Sequence, residues 1–345
     1  MSNLASNLVG HDLNGWIVTK KISKFGGTGG AFSSAYLVQH KDGRDAFLKA
    51  INIGYAMNMF LPTGKRRNEI LQDITENFEH EVDLLEACDT KRLDRVVVAI
   101  EEGEYRHPSD PYYIPFLIFE LCKEGDVRRH PKMAAAGVTW PLRVFHEVCV
   151  GLKQLHSINI IHQDLKPSNV LIAAGTKAKI ADLGRATVSG SRAMFSGANH
   201  WGDTDYMPIE FHYNHFEPDP TVRQKAADFY MLGGVLAFLV CKINIFSLIL
   251  TKLPAAYHPM NWTGGFNAAL PALHTATIDA VADIVASLPD VVKSDVREMI
   301  LFLCHPEPLK RGHPKTVIQA SGDRYSMERI VTTADRVANK ARLIP

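Results

Sequence analysis

Residues 160–172 read IIHQDLKPSNVLI, a short polar stretch between two apolar runs. Within it Lys166 follows the acid Asp164 by two residues, and Asn169 follows it by five. The apolar flanks predict regular elements, so the polar residues are expected on a loop, where catalytic groups are often carried. A second acid, Asp182, follows another short strand-like run in KIADLGRA.

These side chains are the types that phosphoryl transfer requires, because that reaction depends on positioning and on neutralising charge. Asp164 can orient a hydroxyl, and Lys166 can stabilise the transferring charge. The amide oxygen of Asn169 and the carboxylate of Asp182 are hard ligands of the kind that Mg²⁺ prefers. Each residue alone has a more ordinary interpretation, such as a turn at Asp-Leu-Gly, but their joint order and spacing favour function.

The stretch resembles the catalytic loop of the eukaryotic-type protein kinases, and DLG at 182–184 stands where that family has DFG. The resemblance implies ATP and Mg²⁺ as cofactors, Asp164 and Lys166 as catalytic residues, and Asn169 and Asp182 as metal ligands. A lysine two residues after the acid resembles the serine/threonine branch of the family. Taken alone, the loop also fits kinases that phosphorylate small molecules.

The remaining pattern predicts two different regions. Before the loop, short apolar or alternating runs punctuated by Gly, Asp and Pro are typical of strands, and one long helical period runs from Asn68 to Cys88. After Asp126 the pattern is helical, with helices expected near 226–240, 276–288 and 292–304. We therefore predict an α+β, bilobal protein kinase-like fold, with a small β-rich N-lobe and a larger, mainly α-helical C-lobe.

The resemblance covers roughly Trp16 to Ile318 and defines the expected domains. These are a leader at 1–15, the N-lobe at 16–122, the C-lobe at 123–318 and a C-terminal helical tail at 319–345. The tail has a helical period and is expected to pack on the lobe or to bind a partner.

The resemblance also implies a nucleotide site. Its expected residues are Thr28, Gly29, Gly30, Lys49, Glu81, Glu120, Cys122 and Asp126. The glycine-rich stretch KFGGTGGAFSSAYLV leads into a strand rather than a helix, so a flap over phosphates fits it better than a dinucleotide-binding turn. A plain hairpin is the alternative for this motif alone. Asp126 is expected to bond the ribose, although a turn-forming role is the alternative.

Lys49 in AFLKA matches the VAIK lysine of the family and is expected to bind phosphates and to pair with Glu81. Glu79 is a rival partner. The spacing from Lys49 to Glu81 is longer than usual in the family, so residues 54–75 are expected to form either an extra flap or a lengthened helix.

Later landmarks separate protein kinases from small-molecule phosphotransferases, which lack this set. GDTDYMPIEF corresponds to the family's GTxxYxAPE, ADFYMLGGV to the helix with a buried Asp, and HPEPLKRG to the segment with the partner arginine. The residues assigned structural roles are His162, Glu210, Asp228 and Arg311. Glu210 and Arg311 are expected to form a buried salt bridge.

Composition limits the other classes. The formal net charge is +1 and the pI is about 7.7, which predicts no nucleic-acid or membrane partner. Five scattered cysteines and an N-terminus without a signal-peptide pattern indicate a cytoplasmic protein with reduced thiols. The apolar segment Phe229–Leu253 is interrupted by Lys242 and Asn244 and is expected to be a buried core helix rather than a membrane span.

The sequence therefore predicts an ATP-dependent serine/threonine protein kinase that acts on protein Ser/Thr hydroxyls and has a regulatory protein partner. A pseudokinase that binds nucleotide as a scaffold and a small-molecule kinase are the alternatives. Degraded kinases usually lose the strand lysine, the loop acid or the metal acid, and Lys49, Asp164 and Asp182 are all present.

Gln163 departs from the family, which mostly has an arginine there that binds a phosphorylated residue of the activation segment. A neutral amide cannot form that charge-assisted bond, so we expect basal activity without phosphorylation of the segment. The available hydroxyls are Thr187, Ser189, Ser191, Ser196 and Thr204. Arg185 and Arg192 are possible substitutes for the missing cation, and a simple backbone hydrogen bond of Gln163 is the alternative.

Overall fold

The computed structural model describes residues 4–22, 32–107, 112–134, 137–190, 203–319 and 322–344. The chain divides into two compact units. The N-terminal unit comprises residues 1–123 together with Asp182–Gly184, and the C-terminal unit comprises 124–181 and 185–345. The three residues of the DLG motif thus belong to the N-terminal unit.

The N-terminal unit is built on a six-stranded antiparallel sheet with the order β1-β2-β3-β4-β6-β5. Its strands are β1 (Asp12–Leu13), β2 (Trp16–Ile22), β3 (Ser33–His40), β4 (Asp45–Ile51), β5 (Ala99–Tyr105) and β6 (Ile114–Glu120). Burial alternates along β4, so that Leu48 and Ala50 enter the core. Lys49 therefore points to the opposite face of the sheet.

The hydrophobic core on the face of the sheet that carries Leu48 and Ala50 includes the N-terminal segment. Trp16, Tyr36 and Phe116 are fully or almost fully buried, and Leu8 and Leu13 pack with them. The Tyr36 hydroxyl donates a 2.7 Å hydrogen bond to the carbonyl oxygen of Ala5. The residues expected as a leader thus contribute to the hydrophobic core of this unit.

Two helices follow β4 before the chain returns to the sheet. α1 (Ile53–Phe60) begins after Asn52, whose side chain accepts a hydrogen bond from the N–H of Tyr55 at 2.9 Å. α2 (Arg67–Thr90) begins where Glu69 accepts the N–H of Arg66 at 2.8 Å. The long helix expected from Asn68 to Cys88 is confirmed. The extra residues 54–75 lie in α1, in the 3₁₀ turn Leu61–Thr63 and in the first turns of α2.

The C-terminal unit is mainly helical. Its helices are α3 (Pro131–Ala134), α4 (Thr139–Ser157), α5 (Pro220–Cys241), α6 (Ile245–Lys252), α7 (Phe266–Val285), α8 (Asp290–Leu303), α9 (Pro314–Val317) and α10 (Glu328–Ala341). Its strands form two small antiparallel pairs. β7 (Ile160–Ile161) pairs with β10 (Thr187–Val188), and β8 (Val170–Ala174) pairs with β9 (Lys177–Ile180).

The expectation of one helix over Phe229–Leu253 is wrong. Lys242 ends α5 with a left-handed φ of 63°, and Asn244 caps the next helix by accepting the N–H of Phe246. In the part of the chain that the structure describes, α5 and α7 are long and apolar enough to span a membrane by length and composition alone. The most apolar window of α5 is 78% buried within the protein, as in the core helix of a globular fold.

The C-terminal tail contributes α10, which packs on α4 and α8 within this unit. Its buried face consists of Ile330, Ala334, Val337, Ala338 and Ala341. Ion pairs flank that face, including Arg143 to Asp335 at 2.9 Å and Lys340 to Asp295 at 2.6 Å. Of the other predicted helices, the one at 292–304 is confirmed as α8. α7 begins at Phe266, well before the predicted start near 276, and contains Pro271.

Candidate active site

One cluster of charged side chains lies in the N-terminal unit and is centred on Lys49. Its ammonium nitrogen lies 2.7 Å from Oε1 and 2.9 Å from Oε2 of Glu81, and 3.1 Å from Oδ1 of Asp182. β4 supplies the lysine and α2 supplies Glu81, which is buried. All three hydrogens of the ammonium are therefore directed at carboxylates, and Glu81 rather than Glu79 is its partner.

This cluster carries more negative than positive charge. One ammonium between two carboxylates leaves a formal charge of −1. Burial lowers the pKa of the Lys49 ammonium, but the carboxylates of Asp182 and Glu81 raise it by more, so the lysine is charged at neutral pH. The cluster thus keeps a fixed cation and retains excess acidic charge.

Gly184 and the backbone of Asp182 allow the close packing of this cluster. A Cβ at Gly184 would lie 3.2 Å from Glu81 Oε2, 3.4 Å from Asp182 Oδ1 and 3.5 Å from Lys49 Nζ. Asp182 has a left-handed φ of 66°, which is uncommon for a residue other than glycine. A side chain at Gly184 would thus crowd the three charged groups.

Two other predicted nucleotide-binding residues, Glu120 and Cys122, lie at the end of β6 and just after it. Glu120 ends β6, where its carboxylate accepts the N–H of Val98 at 2.8 Å. Cys122 is buried just beyond the strand. Thr28, Gly29 and Gly30 lie outside the described residues.

A second cluster lies in the C-terminal unit on the loop between β7 and β8. The Lys166 ammonium lies 3.0 Å from Oδ2 of Asp164, and both side chains are about nine-tenths buried. The amide nitrogen of Asn169 donates to the carbonyl oxygen of Asp164 at 2.9 Å. The loop therefore brings together Asp164, Lys166 and Asn169, as the sequence predicts. Lys166 is also 3.9 Å from Asp203.

The orientation of Asn169 is suited to a metal ligand. Because its Nδ2 donates to Asp164, its Oδ1 is left as the acceptor and receives a 3.3 Å bond from the Ser168 hydroxyl. Among the described residues no group of three or more His, Cys, Asp and Glu forms a metal site. Mg²⁺ is usually held by one or two protein oxygens together with phosphates and water, and the Asn169 Oδ1 is an oxygen of that kind.

The completely buried Asp228 of α5 holds the start of this loop. Its Oδ2 accepts the N–H of His162 at 2.9 Å, and its Oδ1 accepts the N–H of Gln163 at 2.7 Å. His162 continues the network, because its Nδ1 accepts the N–H of Asp164 at 3.2 Å. Sequence analysis missed His156, whose Nε2 lies 2.8 Å from Asp228 Oδ2. The only sequence signal for His156 was its position at the end of the helix before the loop.

Gln163 makes a specific side-chain contact. Its amide nitrogen donates to the Thr187 hydroxyl at 2.7 Å and lies 3.4 Å from the Arg185 carbonyl oxygen. The backbone hydrogen bond that was the alternative for Gln163 is present as the longer contact, to Arg185. The shorter contact is to a side chain, that of Thr187. Ser191, Arg192 and Ser196 lie outside the described residues.

Asp126 is engaged by its own neighbour in the chain. Its carboxylate accepts the backbone N–H of Arg128 at 3.0 Å and receives a two-pronged contact from the Arg128 guanidinium at 2.9 and 3.2 Å. It thereby caps the 3₁₀ turn Val127–Arg129. The turn-forming alternative is present in the structure, and a ribose contact at Asp126 would have to share the carboxylate with Arg128.

The expected salt bridge between Glu210 and Arg311 is present and completely buried. Arg311 Nη1 lies 2.8 Å from Glu210 Oε1, and Nη2 lies 2.5 Å from Oε2. The displaced proline of this segment, Pro208, directly precedes the 3₁₀ helix Ile209–Tyr213 that carries Glu210. The altered proline position is therefore compatible with the pair.

A sheet-based unit with a lysine–glutamate pair and a helical unit with the DLKPSN loop together define the bilobal protein kinase fold. The family model described as "Protein kinase domain" matches residues 27–321, and the chain belongs to that family. The fold and the family expected from the sequence are thus confirmed.

Curated relatives resemble parts of the chain. A probable serine/threonine-protein kinase of Arabidopsis thaliana is 30% identical over 204 residues, which cover 56% of this chain and 48% of that protein. The receptor-interacting serine/threonine-protein kinase 3 of Rattus norvegicus is 38% identical over 101 residues, covering 27% and 20%. The calmodulin-binding receptor-like cytoplasmic kinase 3 of Arabidopsis thaliana is 30% identical over 128 residues, covering 35% and 23%. The matches span less than half of each relative.

Proposed function

We propose that this protein is an active ATP- and Mg²⁺-dependent kinase that transfers the γ-phosphoryl group of ATP to Ser or Thr hydroxyls of proteins. The observation that carries the proposal is the contact of Lys49 with both Glu81 oxygens and with Asp182. The alternative, a pseudokinase that binds nucleotide as a scaffold, is disfavoured because Lys49, Asp164 and Asp182 are all present. The serine/threonine specificity is supported by Lys166 and by the names of two of the relatives, which are serine/threonine-protein kinases.

Two residues are assigned to the chemical step. Asp164 orients the substrate hydroxyl and accepts its proton, and Lys166 stabilises the charge on the transferred group. The Lys166 ammonium lies 3.0 Å from the Asp164 carboxylate, so the two groups are already side by side.

Metal binding is assigned to Asn169 through its amide oxygen and to Asp182 through its carboxylate. Mg²⁺ would neutralise phosphate charge during transfer. The excess negative charge around Lys49 supports a role for Asp182 toward a cation.

Nucleotide binding is assigned residue by residue. Lys49, held by Glu81, contacts the phosphates, and Glu120 and Cys122 contact the base. Asp126 contacts the ribose. Thr28, Gly29 and Gly30 cover the phosphates, as implied by the family resemblance.

The proposed setting is the cytoplasm, with protein substrates and no nucleic-acid or membrane partner. All five cysteines are free thiols, four of them buried, which suits a reducing compartment. A regulatory protein partner is assigned to residues 54–75 in preference to the tail. The reason is that α10 already uses its apolar face against the C-terminal unit.

Substitution of Asp164 by asparagine tests the proposal. With labelled ATP, Mg²⁺ and a generic protein substrate, Asp164→Asn should transfer phosphate at least about 10²-fold more slowly, because it lacks the positioned base. The matched control is Asp290→Asn, whose side chain is 99% exposed. Circular dichroism should show both variants folded.

Mass spectrometry of the substrate completes this test, and modified Ser and Thr residues are expected. If the parent modifies only small molecules, or if Asp164→Asn is as fast as the parent, the assignment is wrong. Nucleotide binding without any turnover would instead identify a pseudokinase scaffold.

A further inference from the structure

Gln163 is fixed at several points although it directly precedes the reactive Asp164. Its N–H donates to Asp228 at 2.7 Å, and its side-chain amide donates to the Thr187 hydroxyl at 2.7 Å and to the Arg185 carbonyl oxygen at 3.4 Å. Its backbone has a left-handed φ of 57°. Such a conformation persists in a residue other than glycine when the surrounding contacts determine it.

The partner hydroxyl belongs to the first strand after the DLG motif. Thr187 is 3% exposed and lies on β10, where it pairs with Ile161 of β7, just before the catalytic loop. The amide–hydroxyl bond therefore joins the strand that enters the activation segment to the strand that enters the loop. It crosses 24 positions of the chain.

Both groups in this bond are neutral, and they satisfy each other at a place where Thr187 is buried and Gln163 is half-buried. A buried donor or acceptor that loses its partner is destabilised by the full cost of its desolvation. A phosphate on Thr187 would bring about −1.5 to −2 charges against a neutral amide in the same space. The site is thus built for an unmodified hydroxyl.

We propose that Gln163 and Thr187 form a charge-neutral tether that holds β10 against β7 and so positions Asp164, without phosphorylation of Thr187. Gln163 and Thr187 are positioning residues, since they act on Asp164 through the backbone. Their role rests on the kinase function proposed above. It implies that the C-terminal unit reaches its catalytic geometry as synthesised.

Steady-state kinetics of four variants test the tether, with rates expressed per nucleotide-binding site. Thr187→Val and Gln163→Met each remove one side of the bond and should lower kcat about fivefold, with little change in KM for ATP. Thr187→Ser keeps the hydroxyl and should restore most of kcat. The double variant should be no slower than the slower single variant. Thr275→Val, at an exposed threonine of α7, is the matched control.

A phosphatase experiment tests whether the parent reaches its full kcat without a phosphate on the activation segment. Treatment of the parent should leave kcat within about twofold, and mass spectrometry after incubation with ATP should find Thr187 unmodified. A loss of more than about tenfold on phosphatase treatment overturns the tether.

The kinetics of the variants can also overturn the tether. Strictly additive losses, or variants that lose only thermal stability while kcat per site is unchanged, overturn the tether while the kinase function stands. A parent that transfers no phosphate overturns the kinase function itself.

Discussion

The two units each contain a buried ion pair, and the two pairs are built differently. Arg311 and Glu210 in the C-terminal unit have side chains that are 0% and 2% exposed. Lys49 and Glu81 in the N-terminal unit are 12% and 5% exposed, and the ammonium also faces Asp182. The first pair is closed and balanced in charge, whereas the second is partly open and has an excess of acid.

The hydrogen bonds of the cations show the same difference. In addition to Glu210, the Arg311 guanidinium donates to the carbonyl oxygens of His305, Ala226 and Pro306, and it lies 4.8 Å from the centre of the Tyr230 ring. Every donor of this guanidinium is used within the protein. Among the residues that the structure describes, the Lys49 ammonium donates to the carboxylates of Glu81 and Asp182. We expect the closed pair to serve stability, and under the proposed function the open pair serves nucleotide binding.

The largest expected effect is on stability in the closed pair. Glu210→Gln leaves a buried guanidinium that cannot lose its proton, so the free energy of unfolding should fall by about 3–5 kcal/mol. Urea denaturation measures this loss. In a double-mutant cycle with Arg311→Met the losses should be far from additive, and additive losses would show that the residues do not act as partners.

Lys49→Met is expected to lower activity strongly and stability only moderately. Loss of the phosphate clamp should lower kcat/KM by about 10²–10³-fold, as for removal of one preorganised charge. Stability should fall less than for Glu210→Gln, because burial already raises the pKa of the Glu81 carboxyl, which can take up a proton. Kinetics and urea denaturation of the same preparation measure both quantities. A loss of stability as large as that of Glu210→Gln would remove the distinction between the two pairs.

A smaller, pH-dependent effect is expected at His212 in the C-terminal unit. The ring stacks on Phe246 with centroids 3.9 Å apart, and burial lowers the pKa of His212 to about 4. Because the unfolded chain binds the proton more tightly, stability from this group is complete above pH about 6.5 and is lost as pH falls toward 4. The expected loss is about 2–3 kcal/mol.

The parent and His212→Gln should therefore differ in the pH dependence of unfolding, with a flatter curve for the glutamine variant. Urea denaturation at a series of pH values from 7 to 4 measures the difference. Equal slopes for the two proteins would show that His212 titrates normally in the folded state.

Much of the fold and the site was predictable because their residues lie close together in sequence or follow a familiar order. Asp164, Lys166 and Asn169 share one loop, and their contacts follow from that spacing. The choice of Glu81 over Glu79 followed from helical periodicity, which places Glu81 with the buried positions of α2.

The missed contacts depend on which segments meet in space. The bond from Gln163 to Thr187 requires the pairing of β7 with β10, and no local pattern indicates that pairing. His156 reaches Asp228 across 72 positions. The guanidinium of Arg128 turns back to Asp126, although the sequence suggested only a turn there.

The position of α10 also affects the order in which the chain can fold during synthesis. Its contacts with α4 join residues that are 175 to 202 positions apart, through Lys153 with Glu328 and Thr139 with the carbonyl oxygen of Ala341. On the ribosome α4 emerges long before α10, so the part of its surface that α10 covers stays exposed while the intervening helices are made. Long-range closures of this kind slow folding and expose nascent chains to aggregation. Nascent chains arrested before α10 are therefore the species that would most need a chaperone.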